Sequence, residues 1–216
     1  MHMEETKAVI TGDIIGSTKA GPARTDRAIA VLAETAHEIS NWLHHDTRFT
    51  RFRGDGWQIY FAGQPGLVFR ASLLLAARLR AADIGLATRI AAGIGAVERL
   101  GDTGLSGASG EAFEMSGRTL DNMDRTRRIA IDGPGVTPWH EAGFEIADWM
   151  IRRWSREQAE AVALTLLNDG VAMAELAARI GVSRQAFEAR LSSSGFRALD
   201  TALWVFDNET FTGDAG

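Results

Sequence analysis

The sequence predicts an α+β fold in which an antiparallel sheet carries helices on one face, followed by a small all-helical unit. Three observations predict it. Apolar runs of strand type and runs of helical spacing succeed one another as β-α-β-β-α-β over residues 7–96. A crowd of breakers, Asp132-Gly-Pro-Gly-Val-Thr-Pro138, closes the strand-bearing part. Beyond that boundary the chain reads as a succession of helical segments, from 141–153 to 196–206.

Residues 7–15 read as a buried strand, because Ala8, Val9, Ile10, Ile14 and Ile15 enclose only Thr11, Gly12 and Asp13. Gly21-Pro22 breaks the chain, and residues 25–44 then set Ile29, Leu32, Ala36, Ile39 and Leu43 at helical spacing. Residues 47–53 and 57–61 form two short strands around Gly54-Asp55-Gly56, a hairpin signal. Pro65 opens a helix that runs to residue 82, and residues 86–96 return to a strand. That order is the split βαβ, or ferredoxin-like, arrangement, which leaves one sheet face open for a ligand or partner. A glycine-rich stretch at 100–110, expected as a loop, leads into a helix at 111–122 and a short strand at 127–131. The division falls between residues 1–135 and residues 136–216. In the second part, helices are expected at 141–153, 155–168 (with Ser155 as N-cap), 172–180, 183–193 and 196–206.

Composition narrows the chemistry. The chain has 216 residues, 45% of them hydrophobic, enough for one large core or two smaller ones. Without cysteine it has no disulfide, thiolate metal site or cysteine nucleophile, and its five histidines lack metal-ligand spacing. The lack of cysteine points to the cytoplasm, and residues 1–7, with two acids and no long apolar stretch, speak against a secretory leader. The longest apolar run, near 73–77, is too short to span a bilayer. A net charge of −5 gives no overall attraction for nucleic acid or anionic membrane.

The chemistry-bearing residues begin with Asp13 and Asp55. Each closes a strand beside glycine, so two carboxylates can meet on neighbouring strands, as a divalent metal and a nucleoside triphosphate require. Taken singly, each also reads as a turn residue. The stretches Asp13-Ile-Ile-Gly-Ser-Thr18, Gly54-Asp-Gly-Trp-Gln-Ile-Tyr-Phe61, Arg89-Ile-Ala-Ala-Gly-Ile-Gly95 and Gly110-Glu-Ala-Phe-Glu-Met-Ser-Gly-Arg118 resemble the catalytic domain of class III adenylate and guanylate cyclases over roughly the first 130 residues.

That resemblance implies that Asp13, Asp55 and the carbonyl of Ile14 hold Mg²⁺ or Mn²⁺. It places Ile15, Gly16 and Ser17 beside a triphosphate and makes Arg118 the transition-state arginine. It also implies a homodimer, since class III sites join two chains. Two positions depart from the family. Glu114 stands where a ribose-orienting asparagine is usual, and Arg51 stands at the base-selecting lysine position. Over nearly its whole length the chain resembles the SatD-type proteins, on Gly110-Glu-Ala-Phe113, Ser116-Gly-Arg-Thr-Leu-Asp121 and Trp154-Ser-Arg-Glu-Gln158. That group pairs such a domain with a helix-turn-helix and brings no assigned reaction.

Residues 172–192 carry a helix-turn-helix pattern. Ala177 permits close helix approach, Gly181 turns the chain, Val182 fills the elbow and Ser183 caps the second helix. Ser183, Arg184, Gln185 and Glu188 would open a recognition helix toward DNA bases. Between residues 155 and 200, however, five arginines face six acids, so DNA affinity is expected to be weak. Trp149, Trp154 and Trp204 are expected as core or interface aromatics. Arg70, Arg78, Arg80 and Arg89 are expected on solvated faces.

Two functions stay open on the sequence. One is a metal- and nucleotide-binding, cyclase-like domain coupled to a regulatory helix-turn-helix. The other is a non-catalytic scaffold or DNA-binding assembly protein that has lost the chemistry, favoured by Glu114 and Arg51.

Overall fold

The computed structural model describes residues 6–52, 54–101 and 104–211. The N-terminal residues 1–5, Arg53 at the end of the second expected strand, and residues 102–103 of the glycine-rich stretch lie outside the described residues. Strands β1 (Lys7–Ile15), β2 (Thr47–Phe52), β3 (Gly56–Phe61), β4 (Ala87–Gly95) and β5 (Ile129–Asp132) form one sheet in the order β2-β3-β1-β4-β5. β1 lies antiparallel between β3 and β4, β2 pairs antiparallel with β3, and β5 runs parallel to β4. The sheet is therefore mixed, where the sequence predicts an antiparallel one. β5 is reached through a helix, and a helical crossover permits parallel pairing.

Helices α1 (Ser17–Ala20), α2 (Pro22–Leu43) and α3 (Val68–Ala81) lie in the first half of the chain. α2 begins three residues earlier than its apolar spacing suggests. Pro22 occupies the first helical turn, where a missing N–H costs nothing, so the breaker is a helix start. β1 alternates: Ala8, Ile10 and Ile14 join the core under α2 and α3, while Val9, Thr11 and Asp13 point to the other face.

That other face is not open, which corrects the expectation of helices on one face only. Helix α4 (Glu111–Asn122) packs across β1 and β4, burying Ala112 and Phe113 against Val9 and Tyr60. Thr11 and Ser116 share a buried hydrogen bond of 2.7 Å. Gly93 makes the approach feasible, since a Cβ there would overlap the Ala112 carbonyl and the Ser116 N–H.

Helices α5 (Pro138–Ile151), α6 (Arg156–Leu167), α7 (Met173–Arg179), α8 (Arg184–Ser194) and α9 (Asp200–Asp207) complete the chain. Ser155 caps α6, accepting the Gln158 N–H at 3.1 Å. The apolar cluster of the sheet continues into these helices without a gap. Phe69 of α3 stacks on Phe206 at 4.3 Å between centroids and meets Phe144 at 5.2 Å. Arg70, expected in solvent, instead ties α3 to Asp207 (Nε, 3.0 Å) and to the Leu166 carbonyl (3.3 Å). Trp154 is buried, whereas Trp149 and Trp204 are exposed, as is Trp139, with 85% of its surface in solvent. Among the described residues no helix is long and apolar enough to cross a membrane.

Candidate functional site

The end of the sheet where β1 stops carries the densest polar geometry. Asp13 stands across from Gly56 on β3 and Arg89 on β4. Arg89 grips both oxygens of Asp13, Nε to Oδ1 at 3.0 Å and Nη2 to Oδ2, and gives Nη1 to the Leu120 carbonyl at 3.3 Å. The Arg89 pKa is raised above its ordinary value. The hydrogen bond to Asp13 is the main cause, burial opposes it, and the charges of Asp13, Asp121 and Asp55 add to it. Three carboxylates thus act on one guanidinium.

Beneath this pair, Thr88 donates to the Asp13 carbonyl at 2.7 Å and accepts the Trp57 indole N–H at 3.0 Å. The backbone that presents Asp13 is thereby held by two buried side chains. Asp55 lies in the β2–β3 turn. Its carbonyl accepts the Ile14 N–H at 3.2 Å, and its carboxylate accepts a hydrogen bond from the Ser17 hydroxyl. Gly16 supplies the left-handed turn (φ 80°) that carries the chain from Ile15 into α1.

An open pocket of about 390 Å³ adjoins this turn, lined by Ser17, Thr18, Thr25, Arg51, Gly54 and Asp55. Arg51 is held at its rim by Asp26 (2.8 Å) and the Gly54 carbonyl (2.6 Å). The structure thus gathers Asp13, Ile14, Ile15, Gly16, Ser17, Arg51 and Asp55 at one end of the sheet. Glu114 and Arg118 lie on the exposed side of α4 and do not line this pocket; Arg118 reaches the Met115 sulfur at 3.1 Å.

A divalent-metal centre can be tested on these donors. Both oxygens of Asp13 are engaged by Arg89 and one oxygen of Asp55 by Ser17, so the present arrangement does not fit a two-metal site. Among the described residues no group of three or more His, Asp or Glu side chains converges as metal ligands. A cation position does exist, and Arg89 fills it. Sequence reasoning placed Arg89 on a solvated face and missed Asp121. The signal that finds Arg89 is register: once β4 runs antiparallel to β1 with Thr88 opposite Ile14, Arg89 must face Asp13.

At the other candidate surface, α7 and α8 are joined by residues 180–183, with Gly181 left-handed (φ 67°) and the Ser183 hydroxyl accepting the Ala186 N–H at 3.2 Å. Ala177 is buried at the helix contact. Ser183, Arg184 and Gln185 are exposed and Glu188 is half-buried. Arg184 pairs with Glu188 at 2.8 Å, so the first cation of that helix is already countered within the chain.

No family model matches this chain, and no curated protein matches it. The cyclase and SatD resemblances rest on the motifs alone.

Proposed function

We propose that this chain is a SatD-type regulatory protein. Its ferredoxin-like, cyclase-like sheet binds the phosphate end of a nucleotide or related ligand and has exchanged catalysis for sensing. The observation that carries this reading is the pocket beside Gly16, Ser17 and Asp55, flanked by Arg51 and backed by the Asp13–Arg89 pair. The left-handed turn at Gly16 leads into α1 beside this pocket, the kind of turn whose backbone N–H groups can meet an anion. Arg51 adds a cation at the rim. Arg89 supplies the positive charge that a metal would otherwise bring to Asp13, Asp55 and Asp121. Arg118 does not line this pocket, and a cyclase-type homodimer would be needed to bring it to a transferring phosphate.

The helices α7 and α8 serve as the output in this proposal, a helix-turn-helix that presents Ser183, Arg184 and Gln185 to DNA, with Glu188 restraining Arg184. Low local basicity makes that contact weak for a single chain.

A second reading is favoured by one observation. Arg89 occupies both oxygens of Asp13, one residue from the Ile14 N–H that donates to the Asp55 carbonyl, so displacement of Arg89 would free Asp13 for Mg²⁺ or Mn²⁺ and with it metal-dependent nucleotide binding. Calorimetry with a panel of nucleoside triphosphates, in Mn²⁺ and in EDTA, on wild type, Asp13→Asn, Ser17→Ala and Asp55→Asn separates the readings. Binding that persists in EDTA and falls with Ser17→Ala supports the proposal. Binding that needs Mn²⁺ and Asp13 supports the second reading. A silent titration under both conditions refutes both and leaves a scaffold.

A further inference from the structure

Three arginines line a recess that the pocket beside Asp55 does not touch. A cavity of about 70 Å³ lies between the end of α3, the start of β4 and the end of α5, with Arg80, Arg128 and Arg152 on its walls beside Leu79, Thr88 and Ile151. It opens at the same end of the sheet as Asp13 but on the opposite face. Thr88 stands across from Ile14, and Asp13 and Arg89 point the other way.

The charges around it do not balance. Asp148, buried on α5, is the carboxylate that serves them: its Oδ2 lies 2.9 Å from Arg152 Nε. Its Oδ1 accepts the backbone N–H groups of Arg128 (2.6 Å) and Ile129 (3.3 Å). Arg80 gives Nε to a neutral acceptor, the Trp154 carbonyl, at 2.9 Å. The Arg128 guanidinium is half-buried and has no hydrogen-bond or ion-pair partner among the described residues. Its pKa is pushed below the ordinary arginine value, first by burial and then by Arg152 and Arg80, with Asp148 opposing. Asp148 pairs with Arg152 and acts on Arg128 through its charge, while Arg80 has a neutral partner; Arg80 and Arg152 are exposed, and Arg128 is the cation that is half covered without a partner of its own. A cation covered in this way is costly unless an anion joins it.

We propose that this recess is a binding site for a tetrahedral oxyanion, either free phosphate or the phosphoryl group of a larger molecule. Arginine forks match phosphate oxygens in pairs, and the volume admits one such group without a sugar or base. The site is independent of the pocket beside Asp55, whose residues do not line it.

The test uses the full chain with inorganic phosphate as the probe and chloride at matched ionic strength as the control. Wild type is expected to show a saturable rise in Tm and a calorimetric signal with phosphate. Arg128→Met is expected to lose at least ~10-fold in phosphate affinity. In chloride the same variant is expected to melt no lower than wild type, because it removes an unpaired charge. Arg128→Met should keep the Ser17-dependent response to nucleoside triphosphate while losing the response to inorganic phosphate, which separates this site from the other pocket. Glycerol phosphate distinguishes the sources: tighter binding than phosphate identifies a phosphoryl group on a larger ligand, and equal or weaker binding identifies the free anion. A wild-type response no larger than that to chloride, or a response unchanged in Arg128→Met, overturns the site.

Discussion

Replacing Arg89 by alanine removes the guanidinium that holds both oxygens of Asp13. The pair is neither superficial nor fully enclosed, with side chains 24% and 28% exposed. Exposed pairs contribute about 0.2–1 kcal/mol and breaking a buried pair costs about 3–5 kcal/mol, so a pair three-quarters covered falls between, at about 2 kcal/mol. In a chain of 216 residues that corresponds to a fall in Tm of roughly 4–8 °C. The same change frees both oxygens of Asp13 and removes a positive charge from the neighbourhood of Asp121 and Asp55.

Arg89→Ala is therefore expected to take up Mn²⁺, seen as loss of the free-ion signal in electron paramagnetic resonance. Its Tm should climb back in MnCl₂ by mass action, while that of wild type stays put. Arg89→Lys keeps a point charge but cannot bridge two oxygens, so intermediate stability and no Mn²⁺ uptake are expected. Mn²⁺ uptake by wild type that vanishes in Asp13→Asn would refute the assignment of Arg89 as the resident cation.

Three further outcomes are expected. Gly93→Ala places a methyl group inside the Ala112–Ser116 backbone and should cost at least about 3 kcal/mol in urea unfolding, because α4 must lift from the sheet. Phe69→Ala empties the junction with Phe144 and Phe206 and should cost about 3–5 kcal/mol, measured in the same way. Burial pushes the Glu209 carboxyl up, but hydrogen bonds from the Phe211 N–H, His140 and the Thr210 N–H together hold it below the usual glutamate range. A depressed carboxylate stabilises the fold above its unfolded value and loses that contribution as pH falls through the folded one. The Tm gap between wild type and Glu209→Gln should therefore hold at neutral pH and close below about pH 4.3.

Much of the sheet is legible in the sequence because its central strands are short apolar runs bounded by glycine, buried almost throughout. Residues 7–15 are assigned identically by pattern and by structure. Helix α2 is misjudged at its start because Gly21-Pro22 signals a break and an N-terminus in the same letters. The covered second face is not legible: the 111–122 helix is plain from its spacing, but where it docks depends on Gly93, eighteen residues before its first residue. In the same way Asp13 and Asp55 announce themselves beside glycine, whereas Arg89 is chemically mute until strand register sets it against Asp13. Arg118, at its motif spacing from Gly110, is exposed on α4, and whether it meets a site depends on a second chain, which neither pattern nor register within one chain contains.

The apolar seam that runs from the sheet through Phe69 to Phe144 and Phe206 has a consequence for how the chain comes apart. A break in the 132–138 turn severs the backbone but leaves that seam intact, so a nicked protein should hold together and melt in a single cooperative step. Either piece made alone would present a wall of aromatic rings to water, and native signal should return only when the two are mixed.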